Sequence, residues 1–206
     1  AYAVNPQHRD VLYNLSRLYI LDSMPAKGLP VAKQLVKVDP SNPDNYQLLA
    51  LAYVAIQKEY QAKAKGYENK VKELGQRANT SKSAAVQKAA IDSVAKLNPL
   101  TKAYGDSAKV FVDSALKYNT AMQQMPVKVE FTEFTATDAK TTLGGRVTNQ
   151  TDADKSVTLK LEFVDKAGNV VSTQDVPVTV KAKASSTFTA AGTGAGIVAF
   201  RYAPIS

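Results

Sequence analysis

The sequence predicts a multidomain α plus β chain. Antiparallel helical hairpins fill residues 1–125 and an antiparallel β-sandwich fills 127–206. Three observations carry this. Hydrophobic spacing changes at Met125-Pro126, from helical stripes in an Ala-, Leu-, Lys- and Gln-rich stretch to Thr- and Val-rich alternation. Within the first part, a pattern of large and small residues recurs after 34 residues. Within the second, turn signals fall about every 8–12 residues.

The recurrence is local and specific. Leu12-Tyr-Asn-Leu15-Ser16-Arg-Leu-Tyr19 is echoed by Tyr46-Gln-Leu-Leu49-Ala50-Leu-Ala-Tyr53, and Asn5-Pro6 by Asp39-Pro40. These spacings place bulky side chains on one helical stripe beside a small residue that admits a second helix. The pattern resembles the tetratricopeptide repeat (TPR) family, in which each unit is a helix–turn–helix. On that resemblance the repeats cover about residues 5–75, with Gly28 and Ala32, then Ala62 and Gly66, at the packing positions of the second helices. Ala1–Pro6 reads as the tail of a preceding unit. The chain is therefore expected to begin inside a longer precursor, or to have its face near Leu12, Leu15 and Leu18 covered. An absent signal peptide at Ala1 is then uninformative.

From Lys58 to about Leu74 the second unit should complete itself, with a turn over Gly75–Ser81. A capping hairpin over about 81–125 follows, as helices Ser83–Leu97 and Thr101–Gln124 split by Asn98-Pro99.

The second part reads as six or seven strands. Val157, Leu159, Leu161 and Phe163 alternate with Thr158, Lys160 and Glu162, so the first set faces a core. Asp165-Lys-Ala-Gly168-Asn169 is a hairpin turn. Val176, Val178 and Val180 form another alternating set, with Pro177 placing that strand at an edge. Gly145-Arg-Val-Thr-Asn149-Gln-Thr151, the Phe163–Val171 hairpin and the closing Phe200-Arg-Tyr202 resemble FxLYD-type immunoglobulin-like domains of bacterial envelope proteins.

Composition narrows the chemistry. The 206 residues contain no Cys and one His, which excludes disulfides, thiol nucleophiles, thiolate zinc sites and multi-histidine metal centres. His8 and Asp10 could form a base and its orienter, but no nucleophile motif accompanies them. Gly192-Thr-Gly194-Ala-Gly196 lacks the Lys-Ser/Thr of a phosphate loop and reads as a connection between strands. Asp152 and Asp154 read as a polar turn, and Asn14, Asn79 and Asn149 begin Asn-x-Ser/Thr triplets. The longest apolar run, Leu48–Ile56, has nine residues, half of the roughly 18 that span a bilayer as a helix. Of the net +8, residues 1–126 carry +7, densest from Lys58 to Lys88. No nucleic-acid motif accompanies that charge, so a solvated helix face, with weak attraction to anionic lipid, is the expected consequence.

What remains is surface. The TPR resemblance implies a partner-binding groove lined by Asp10, Tyr13, Arg17, Ile20 and Leu21, then Asp44, Gln47, Leu51, Val54 and Ala55. Where some family members hold a chain-terminal carboxylate with Lys and Asn, this chain has Tyr13 and Gln47, then Arg17 and Leu51. An apolar or helical protein segment is the better occupant, unless the chain's own 83–125 hairpin meets the groove. The expected function is thus a non-enzymatic scaffold subunit of the bacterial cell envelope, without cofactor or metal. It would be extracytoplasmic by its resemblance and docked onto protein partners of a membrane complex. The rival reading is a carbohydrate- or cell-wall-binding module, weakened by the lack of Trp and the scatter of Tyr104, Tyr118 and Tyr202.

Overall fold

The computed structural model describes residues 8–137 and 140–205. The segment Ala1–Pro6, expected to end a preceding repeat, lies outside the described residues. Among the described residues four helices come first: α1 (Arg9–Leu21), α2 (Pro25–Val38), α3 (Pro43–Thr80) and α4 (Ala84–Gln123). Six strands follow: β1 (Val127–Ala136), β2 (Thr141–Asn149), β3 (Lys155–Val164), β4 (Val170–Val180), β5 (Ser185–Gly192) and β6 (Ala199–Tyr202). The chain packs as two compact units, residues 53–116 in one and the residues on either side of them in the other. The boundaries fall inside α3 and α4.

In the flanking unit, α1 and α2 form the first expected hairpin. Leu12, Val31, Leu35 and Val38 are buried with Leu48 of α3, and Tyr13, Leu15, Tyr19 and Ile20 pack around them. The helices approach closely at Gly28. The Ser16 hydroxyl donates to the Gly28 carbonyl at 3.2 Å, and a Cβ on Gly28 would stand 3.2 Å from the Ser16 backbone oxygen. The turn is a Schellman closure: Met24 N–H donates to the Tyr19 carbonyl and Ser23 N–H to that of Ile20, with Ser23 left-handed at φ 58°.

The second expected hairpin is not formed. Pro43–Thr80 is one continuous helix, so Ala62 and Gly66 lie on the same helix as Leu49 instead of on a partner. No Gly or Pro interrupts 44–65, and Ala, Gln, Lys and Glu all propagate a helix there. Gly66 and Gly75 each cost about 1 kcal/mol, too little to stop it. The turn expected over Gly75–Ser81 accordingly shifts to 81–83, where Ser81 Oγ accepts the Ser83 N–H. Likewise the expected break at Asn98-Pro99 is absent, and Pro99 lies inside α4. Proline removes one hydrogen bond at a cost of about 3 kcal/mol. Half-buried Leu97 and Thr101 hold the helix on either side, and the Thr101 hydroxyl bonds the Leu97 carbonyl at 3.2 Å.

Residues 53–116 form a long hairpin of two helices. Its seam is a run of rings: Tyr53 faces Phe111, Phe111 meets Tyr60 edge-on at 5.1 Å, and Tyr60 and Tyr67 both contact Tyr104. Lys63 Nζ lies 5.4 Å from the Tyr60 ring and 5.7 Å from that of Tyr104.

The strands make two three-stranded antiparallel sheets, ordered β1-β2-β5 and β4-β3-β6. Their inward residues share one buried cluster, including Val129, Leu143 and Val147 from the first sheet and Leu159, Leu161 and Phe163 from the second. The predicted alternation of β3 and the valines of β4 is observed, and Pro177 sits on edge strand β4. The Asp165–Asn169 turn closes as expected, Asp165 Oδ1 accepting the N–H groups of Ala167 and Asn169, with Gly168 at φ 88°. Asn149 is almost fully buried, its amide donating to the carbonyls of Ala153, Val180 and Lys181. It is a structural tie, closed to glycosylation in the fold.

Candidate partner-binding groove

Residues predicted for the groove come together between α1 and the first turns of α3. Tyr13, Arg17, Ile20 and Leu21 follow i, i+4, i+7, i+8 spacing, which aligns them on one face. With Asp44, Gln47, Leu48 and Leu51 they line a groove of about 240 Å³. Leu21 is 65% exposed and Leu51 50%, so large apolar surface faces solvent here. Asp10 lines an adjoining hollow of about 270 Å³, which shares Tyr13 and Asp44 with the groove. Val54 and Ala55 belong to the 53–116 unit and are not in this wall.

The start of α3 is fixed by a set of contacts that the sequence reading passed over. Asn42 Oδ1 accepts the Asp44 N–H at 3.1 Å, an N-cap with Pro43 in the first helical position. Asn45 donates to the Asp39 carbonyl at 2.9 Å, and Asn42 to the Asp39 carboxylate at 3.3 Å. Tyr202 of β6 donates its hydroxyl to Asp39 Oδ1 at 2.7 Å and accepts the Ser41 N–H at 2.9 Å. On the neighbouring edge, the Val129 N–H of β1 donates to the Ser41 carbonyl at 2.9 Å. The connection between α2 and α3 is thereby fastened to both sheets, and with it the helix that carries Asp44, Gln47 and Leu51.

Asp39 and Tyr202 are 1% and 3% exposed. Burial holds the Asp39 carboxyl above its usual range; the Tyr202 hydroxyl, the Arg9 charge and the two asparagines pull it back in part. Burial, then the charge of Asp39 and the bond to it, push the Tyr202 hydroxyl well above an ordinary phenol. Arg9 contributes a second tie. Its guanidinium lies 5.1 Å from the Phe131 ring and 5.8 Å from that of Phe200.

The suggested base and orienter do not meet as such. Among the described residues, His8 Nδ1 has no hydrogen-bond partner, and the Asp10 carboxylate pairs with Arg9 at 3.1 Å. Gly192–Gly196 connects β5 to β6, as read from the sequence. Asp154 bonds Lys181 at 2.7 Å and the Ala182 N–H at 3.0 Å, and Asp152 pairs with Lys183. Both aspartates thus serve the turn.

No signal in one sequence marks Asp39 as buried, since Asp-Pro reads as an exposed turn. Tyr202 carried a weak hint: a closing strand that ends in Tyr buries a ring whose hydroxyl needs a partner.

No family model matches the chain, and no curated protein matches it. Among solved structures, a DUF1425 family member from Shewanella sp. pv-4 aligns over 39% of this chain and 76% of its own, with 17% identity and a TM-score of 0.34. The Pseudomonas fluorescens alkylpurine DNA glycosylase AlkC, bound to DNA containing an abasic site analog, aligns over 92% of this chain and 61% of its own. Its identity is 15% and its TM-score 0.27. Likenesses this faint say nothing of function.

Proposed function

We propose that this chain is a non-catalytic protein-interaction module. In this reading α1–α2 is a single TPR-like hairpin, the two sheets are an immunoglobulin-like sandwich, and the whole serves as a scaffold subunit in a bacterial envelope complex. The single observation that carries it is the groove: exposed Leu21 and Leu51 flank Arg17 and Gln47 between two helices held in place by buried polar ties. Such a surface suits the apolar face of a partner helix, with Arg17 available to an acidic residue at its margin. The basic 53–116 hairpin would add attraction to anionic lipid, screened by salt.

The test is recovery of partners from solubilised membranes with the intact protein. A stoichiometric protein partner, lost at least tenfold on Arg17→Glu with Leu51→Asp while the melting temperature holds, is the expected outcome. Undiminished recovery with the double variant removes the groove from the reading. Retention on peptidoglycan in high salt, with no protein partner, replaces the reading by a wall-binding one.

A further inference from the structure

The two sheets differ at their two sides. Where β4 and β5 adjoin, side chains close the gap: Gln174 Oε1 accepts the Ala191 N–H at 2.7 Å, Ser172 Oγ accepts the Thr193 N–H, and Ser186 donates to the Thr179 carbonyl. On the other side the edges are β1 and β6. There the chain's own residues 39–42 occupy one end, with Ser41 bonded to Val129 of β1 and to Tyr202 of β6. Beyond them the gap widens into a cavity of about 390 Å³. Phe131 and Phe134 of β1 and Phe200 of β6 form its aromatic floor, and His8, Arg9 and Glu133 stand on its rim. The three rings are packed together, with Phe131 and Phe134 at 4.5 and 5.2 Å from Phe200.

We propose that this cavity takes an extended, neutral peptide segment that adds to the β1 edge and seats an apolar side chain on Phe134 and Phe200. Backbone alternation supplies the first argument. Val129 turns its N–H away from β2, so Phe131, two residues on and before the bulge, does the same. Among the described residues, the Phe131 carbonyl is reached by Arg9 Nη2 alone, at 3.5 Å, the far limit of a hydrogen bond, and accepts a shorter one from an incoming amide. Continuity supplies the second: Ser41 already bonds this edge as an added strand would, and the cavity prolongs that line. Charge supplies the third. Arg9 is paired with Asp10, which leaves Glu133 as the net negative charge of the lining, so an acidic segment is disfavoured and apolar contact with the rings holds a neutral one. Strand addition of this kind draws affinity from main-chain bonds and specificity from alternate side-chain pockets. The site is separate from the α1–α3 groove and does not depend on it.

The probe is a capped pentapeptide, Val-Thr-Phe-Thr-Val, titrated into the full chain and followed by amide chemical shifts. Saturable binding with the largest shifts at 131–134 and 199–200 is expected. At least tenfold weakening is expected when alternate amides of the peptide are N-methylated, and again with Phe134→Lys. Three results each overturn the proposal: no saturation, equal affinity of the N-methylated peptide, or shifts centred on Tyr13, Arg17 and Leu51. The methylated peptide keeps the test valid if the Phe134 variant fails to fold.

Discussion

The 53–116 hairpin and the paired sheets solve the same problem with different means. In the sheets, two layers enclose a core, and Phe163, Leu159 and Val147 reach zero exposure. In the hairpin two helices pack on each other, and the buried residues of α4 there are alanines, Ala90, Ala108 and Ala115. Tyr53 and Ile56 are buried, but the other rings of its seam, Tyr60, Tyr67, Tyr104 and Phe111, are half-buried. A pair of helices has no third layer, so wide rings with polar tips and the lysine stems beside them do the covering. Burial depth, more than residue type, sets what a substitution costs in each region.

The largest contrast lies between equivalent truncations. Phe163→Ala should cost about 3–5 kcal/mol, as deep aromatic cavities do, and Tyr104→Ala only about 1–2, because its ring is already half in water. Denaturant titrations of both variants check this, and equal losses would mean that the hairpin seam is as enclosed as the sheets.

Next comes the tie at Asp39. Tyr202→Phe removes a hydroxyl that both donates to Asp39 and accepts from Ser41, at an expected cost of about 2–3 kcal/mol by urea unfolding. The same carboxyl has a pH signature. Its native pKa lies above its unfolded one, so the native state holds the proton more tightly. Its contribution is therefore a loss of stability as pH rises from the unfolded value through the native one. Asp39→Asn keeps an acceptor for Tyr202 and removes that loss. The variant's advantage over the parent should grow as pH rises above the unfolded value of 3.8; parallel profiles would show that Asp39 titrates normally.

The smallest effect again separates the regions. A Cβ on Gly66 meets nothing within 4 Å, so Gly66→Ala should slow hydrogen exchange across 53–80 by helix propensity, worth about 1 kcal/mol. At Gly145 a Cβ would fall 2.6 Å from both the Glu130 carbonyl and the Phe188 ring, and the same change should destabilise the sheets.

The groove residues of α1 and early α3 were legible because a helical stripe and its spacing are local properties. The second repeat was misread because the 34-residue echo continued in residue types while no helix stop accompanied it. Leu49 and Tyr53 hold the same stripe in one long helix as they would in a short one. Asp39 and Tyr202 stand 163 positions apart, and nothing near either announces the other.

The sequence by itself determined the order of helices and strands, the change of period near Pro126, the inward faces of β3 and β4, and the absence of thiol chemistry. These follow from local periodicity and composition, which each segment carries alone. Tertiary structure decided that 43–80 is unbroken, that α4 runs through Pro99, and that a turn aspartate is buried against the last strand. Each depends on which distant surfaces meet, because burial and packing set the free energy that overrules a proline or shelters a carboxyl.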